Sequence, residues 1–189
     1  MSIFASQLWS ETGKTRLAAV ALITMDKVEN DTNTYNMSFT AGAAMLNETH
    51  AVASALLDCD GDWDRTKKIT FKENLMQKEK ATSNARYFAL MKQRLEALNN
   101  EELIMLVNST VSVRKLIVLL AICKAHSFIY DFISEVVRDR FYNQYEHISY
   151  ADFNEFYNEN KYVHPELENV TEQTVAKMRQ VIFGVIDKI

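Results

Sequence analysis

Four glycines and one proline leave this 189-residue chain little material for tight hairpins, bulges or a glycine-rich phosphate loop. Those two residues punctuate secondary structure, so their scarcity points to an all-α fold. The chain is long enough for a real core, and 48 % hydrophobic residues put it well above the disordered range. Cys59 and Cys123 lie far apart and form no CxxC, which reads as two buried thiols in a reducing cytoplasm. The longest apolar run, LIVLLAIC (116–123), is eight residues, against roughly 18 to 20 for a membrane span. LAAVALI (17–23) follows Lys14 and Arg16, but it is short for a signal-peptide core and lacks a clear cleavage site. A soluble cytoplasmic protein is expected.

The stretch LLDCDGDWDR (56–65) sets Asp58, Asp60, Asp62 and Asp64 at every second position, as the start of an EF-hand loop does. Such a loop also needs a glycine at position 6 and a bidentate glutamate at position 12. Counting from Asp58 these are Trp63 and Ile69, and from Asp60 they are Arg65 and Phe71. Calcium is therefore rejected. The residues fit a polar interhelix turn, with Gly61 at the bend and Asp62 or Asp64 capping the next helix.

Apolar spacing then sets out the helices. Residues 1–34 have weak periodicity and read as an extension, and regular structure begins near Ser38 with a helix through AGAAMLNETHAVASALLD. After the aspartate turn a short helix can send Trp63, Ile69, Phe71 and Leu75 to the core. The link QKEKATS leads to NARYFALMKQRLEALN, where Phe88, Met91, Leu95 and Leu98 share one face. Ser83, Arg86, Leu90 and Gln93 point the other way, with Lys92 and Arg94 on the flanks. The run TVSVRKLIVLLAICKAHSFIYDFISEVVRDRF is apolar nearly all round and marks a central buried helix or pair. It breaks near Ala125, with His126 between the members and Ser127 as a cap. SYADFNEFYNENK is amphipathic with Ser149 as its cap. The last helix packs Val175, Met178, Ile182 and Val185 inward and turns Gln173, Lys177 and Gln180 outward.

Charge is distributed unevenly. The chain carries a net charge of −4, yet residues 65–94 hold nine basic groups and two acidic ones, while both flanks are acidic. A basic island in an acidic chain suits a polyanion. It coincides with a helix–link–helix order resembling a helix-turn-helix, about 61–98, and a second such order spans about 149–187. The expected architecture is a compact globular helical protein, with these two elements around the buried pair in one domain over 35–189.

Catalytic signals are missing. GKT (13–15) echoes the end of a P-loop, but the required earlier glycine is Leu8. His50, His126, His147 and His164 sit in four different segments without metal-ligand spacing. No carboxylate pair, nucleophile elbow or Cys–His arrangement is nominated. A protein that is not an enzyme, with no cofactor or metal, is expected.

In order along the chain, YNMSFTAGAAMLNET (35–49), GDWD (61–64), ENLMQ (73–77) and ATSNARYFALMKQRLEAL (81–98) are followed by three further segments. These are LLAICKAHSFIYDFISEVVRDRF (119–141), DFNEFY (152–157) and HPELENVTEQTVAKMRQVIFGVI (164–186). The set resembles the BrxA family, small core proteins of bacteriophage-exclusion (BREX) defence systems, over residues 35–187. The resemblance implies an all-helical protein that acts with a DNA methyltransferase, an ATPase and a phosphatase-like protein to block phage replication. It also implies a likeness to the antitermination factor NusB and binding of double-stranded DNA through helix-turn-helix elements. On this reading Lys67, Lys68, Lys72, Lys78 and Lys80 meet phosphates, and Ser83 and Arg86 face a groove, supported by Arg94. Lys177, Arg179 and Gln180 form a second contact. The rivals are RNA binding, for which no aromatic platform is evident, and an adaptor whose basic island docks an acidic protein. With no heptad seam or surplus apolar face, a monomer is expected.

Overall fold

The computed structural model describes residues 34–77, 80–145 and 147–188. The proposed 1–34 extension, apart from Thr34, and Lys78 lie outside the described residues. Eight helices and no strands are present among the described residues. They cluster into two compact units. The central unit is the continuous stretch Ala41–Ala125, and the terminal unit takes the described residues up to Thr40 and from His126 onward.

In the central unit, α1 (Leu46–Asp58) packs against α2 (Trp63–Lys72), α3 (Ala81–Glu96), α4 (Asn100–Asn108) and α5 (Val111–Ala125). Its buried Val52, Ala53, Ala55 and Leu56 have short or compact side chains, which lets four neighbours approach one helix. The apolar run of α5 buries every residue from Ile117 to Leu119 and from Ala121 to Cys123. Local signals fix the ends. Asn99 and Glu102 form a capping box at the start of α4, and Lys124 of α5 reaches Glu102 at 2.6 Å.

Periodicity predicts helix from residue 41, but α1 begins only at Leu46. A 3-10 turn over Met37–Ala41 precedes it, and Met45 adopts a left-handed backbone with φ of 48°. The carbonyls of Gly42 and Ala43 do not enter a helical ladder because Arg94 takes them, at 2.9 and 2.8 Å. A side chain from α3 thus replaces the helical donors.

The terminal unit is held by aromatic rings. Its first helix, α6 (Ser127–Tyr142), is continuous, with a π-helical middle over Phe132–Val137. The widened turn buries three consecutive residues, Phe132, Ile133 and Ser134. Phe128 meets Phe156 at 5.3 Å and Phe132 meets Phe153 at 5.9 Å, placing α6 against α7 (Tyr150–Lys161). After a 3-10 turn at Pro165–Leu167, α8 (Glu172–Lys188) buries Met178, Val181, Ile182 and Val185; of the four residues expected inward, Val175 is only half-buried. Tyr35 joins the unit from the other end of the chain. Its hydroxyl lies 2.9 Å from Asp131 Oδ2 and 2.8 Å from Asn160 Oδ1, and its ring stacks on His164 at 3.8 Å. Burial, then the Asp131 carboxylate, push this phenol far above its ordinary range.

His126 is the break between the buried helices, as its sequence position predicts. It is buried, it occupies the N-cap position expected of Ser127, and its ring meets Phe39. Cys59 and Cys123 are both buried thiols. Among the described residues, no single helix is long and apolar enough to cross a membrane.

Candidate nucleic-acid interface

The aspartate turn sets the orientation of the basic helix. Gly61 takes φ of 82°, a left-handed conformation that costs glycine least. Asp62 Oδ1 then accepts from the amides of Asp64 and Arg65, at 2.9 and 3.1 Å, and starts α2. The Arg65 amide leads in holding the Asp62 carboxyl below the usual carboxylate range.

From that start, α2 buries two threonines rather than its large apolar groups. Thr66 and Thr70, one turn apart, are buried, and the Thr66 hydroxyl donates to the Asp62 carbonyl at 2.7 Å. Trp63, Ile69, Phe71 and Leu75, expected in the core, are only half-buried. Trp63 and Phe71 meet Phe88 of α3 edge-on, at 6.0 and 5.6 Å. Inserting the narrow threonine edge leaves Arg65, Lys67, Lys68 and Lys72 exposed along the helix. Lys67 lies over the Phe71 ring at 5.9 Å.

On α3 the expected residues separate. Lys80, at the N-cap position, and Arg86 are exposed, and Ser83 is half-buried. Arg86 donates to the Ala41 carbonyl at 3.2 Å and lies beside the Tyr87 ring. Arg94 does not belong to the interface. It is 0 % exposed, inside the core, and its hydrogen bonds go to backbone carbonyls of residues 42–44. Burial lowers its pKa to about 10. Leu90, turned outward by the helical wheel, is buried too. The α3 face that enters the core is therefore wider than its apolar stripe.

In the terminal unit, Lys177, Arg179 and Gln180 lie on α8 as expected, with Lys177 and Gln180 exposed and Arg179 on the flank. Lys177 Nζ donates to Gln180 Oε1 at 2.9 Å, and Arg179 Nη1 donates to Asn154 Oδ1 at 3.1 Å. Two contributors escape sequence reasoning. Arg65 belongs to the basic island but carries no local signal setting it apart from its neighbours. Tyr150 lies under Arg179, 4.5 Å from the guanidinium carbon, and only the Ser149 cap before it marks where it would fall.

The described residues hold no group of three or more His, Cys, Asp or Glu side chains able to bind a metal. The arrangement defines a class: an all-helical protein that presents a cationic helix on one unit and a mixed cationic, amide and aromatic surface on the other. The chain belongs to the BrxA family, whose model matches residues 33–187. The BREX protein BrxA of Escherichia coli O9:H4 (strain HS) is 26 % identical over 137 residues, 72 % of this chain and 64 % of that protein. The match thus spans less than two thirds of the relative's own length. The crystal structure of an uncharacterized protein from Magnetospirillum magneticum has the same fold, with a TM-score of 0.68 and 22 % identity. That likeness covers 82 % of this chain and 79 % of the other.

Proposed function

We propose that this protein is a non-enzymatic, double-stranded-DNA-binding component of a BREX phage-defence system, working in the cytoplasm beside a methyltransferase, an ATPase and a phosphatase-like protein. The observation that carries the reading is α2, where Arg65, Lys67, Lys68 and Lys72 are all exposed on one ten-residue helix. Cations held on a rigid helix meet phosphates without choosing sequence, and each contact releases counterions. Ser83 and Arg86, in the first turns of α3, supply the groove-facing groups, and Lys80 adds a phosphate contact at its start. Lys177, Arg179 and Gln180 form a second contact on the other unit. The E. coli relative's description as a BREX protein supports the setting.

The test is anisotropy of a labelled 30-mer duplex at several salt concentrations, with wild type beside Lys67→Glu/Lys68→Glu. The expected result is a log–log salt slope that shrinks by about 0.9 for each phosphate contact removed, with affinity lost in the variant. Equal binding by both proteins would sink the assignment of α2.

A further inference from the structure

Where α6 ends and α7 begins, two exposed tyrosines each carry an arginine on one face. The Arg140 guanidinium lies 4.4 Å from the Tyr145 ring centre and bonds Asp152 Oδ1 at 2.6 Å. The other oxygen of Asp152 accepts from the amide and hydroxyl of Ser149, at 2.6 and 2.8 Å. The next residue is Tyr150, which lies under Arg179 and meets Phe183 edge-on at 4.8 Å. One chain of contacts therefore fixes both rings, while Tyr145 stays 50 % and Tyr150 54 % exposed.

Exposed tyrosines alone suit many partners, so the surrounding groups decide. Asp152 neutralises Arg140, but Arg179 bonds the neutral amide of Asn154 and Lys177 that of Gln180. Arg179, over the Tyr150 ring, and Lys177, two residues before it on α8, thus have neutral hydrogen-bond partners. Among the described residues, the exposed large apolar residues of this unit are four tyrosines and Val163. Flat π-faces, planar guanidiniums, positive charge and amides able to meet base edges are the parts of a site for unstacked bases.

We infer that the Tyr145–Tyr150 surface of the terminal unit binds single-stranded nucleic acid, stacking unpaired bases on the two rings while Lys177 and Arg179 take phosphates. This deepens the reading of Lys177, Arg179 and Gln180 as a nucleic-acid contact and rests on it for them alone. It is independent of the α2 face.

The test uses the full chain and labelled dT20, U20 and 30-mer duplex, all by anisotropy. The proteins are wild type, Tyr145→Ala/Tyr150→Ala and Tyr145→Phe/Tyr150→Phe. Wild type binds at least one strand, the alanine pair binds it roughly five- to a hundred-fold more weakly, and the phenylalanine pair stays within about two-fold of wild type because the rings remain. The alanine pair loses less affinity for duplex than for the strand, because the α2 face is untouched. Which of dT20 and U20 binds better identifies the natural strand, and either preference upholds the stacking site. Duplex binding without binding of either strand overturns the inference, leaves the α2 reading intact, and hands the tyrosines to a protein partner. Strand binding that survives the alanine pair, or is lost equally in the phenylalanine pair, also overturns it. Tyrosine-dependent strand binding without duplex binding upholds the inference and removes the α2 reading.

Discussion

Arg94 donates from Nη2 to the Gly42 carbonyl at 2.9 Å, from a position with no solvent exposure. Nη1 of the same side chain reaches Ala43 at 2.8 Å. The backbone oxygens of the loop before α1 thus accept from a cation that helix α3 buries. Replacing Arg94 with Leu leaves these carbonyls without their donors and is expected to cost about 2–4 kcal/mol. Arg94→Lys recovers only part of this, since an ammonium cannot match the planar fork. Urea denaturation gives the answer, and a loss under about 0.5 kcal/mol for Leu, the usual range for a surface substitution, would show that the loop holds itself.

Arg86 reaches the same loop from outside, through the Ala41 carbonyl, and remains exposed. Arg86→Gln should weaken duplex binding by a factor of about five to ten, as loss of one charged contact does. Its unfolding midpoint should hardly move. Arg94→Gln should do the opposite, lowering the midpoint while the folded fraction binds as before. Melting curves and anisotropy on both variants separate a binding arginine from a core one. Swapped outcomes would reverse the two roles.

The bend before α2 has two local supports that can be removed separately. Gly61→Ala should cost about 1 kcal/mol: a Cβ there would meet nothing within 4 Å, but φ of 82° is strained for alanine. Asp62→Ala should cost about 1 kcal/mol through loss of the N-cap. Chemical denaturation of each variant checks both figures, and a neutral result for Gly61→Ala would mean that the turn relaxes its backbone.

Asp152 gives an acid dependence. Burial raises its pKa, but the Ser149 amide and hydroxyl and the Arg140 guanidinium outweigh burial and leave it below the usual carboxylate value. A carboxyl depressed in the folded state adds stability above its unfolded pKa of about 4 and loses it as pH falls through the lower folded value. Asp152→Asn should therefore be less stable at pH 7 by about 1–2 kcal/mol, as for a lost cap. Below pH 4 its stability should approach that of wild type. Melting temperatures from pH 7 to pH 3 test this, and parallel curves for the two proteins would exclude a role for this carboxylate.

Features set by neighbours in sequence are legible from the sequence alone. The Asp62 and Ser149 caps and the inward side of α8 depend on residues three or four apart, so periodicity and capping chemistry find them. Arg94 is not, because its partners lie about fifty residues earlier and a charged side chain on a helix flank looks solvated. Leu90 was misplaced for the same reason: once Arg94 turns inward, the buried arc of α3 takes in residues that a simple stripe leaves outside. Of the candidate interface, the basic island showed itself through charge alone. The tyrosine surface did not, because Arg140 and Tyr145, or Tyr150 and Arg179, come together only when separate helices pack.

The central unit is one uninterrupted stretch, and adjacent residues of α3 hold both its ends. Arg94 grips the backbone just after Ala41, and Gln93 donates to the carbonyl of Ala125 at 3.4 Å. A stretch whose entry and exit are tied to neighbouring points can be lifted out or exchanged as a cassette without rerouting the surrounding chain. On that view the gene has a natural pair of splice points near codons 41 and 125. Hybrids joined there between distant members of the family would exchange the α2 face while leaving the tyrosine surface as it is.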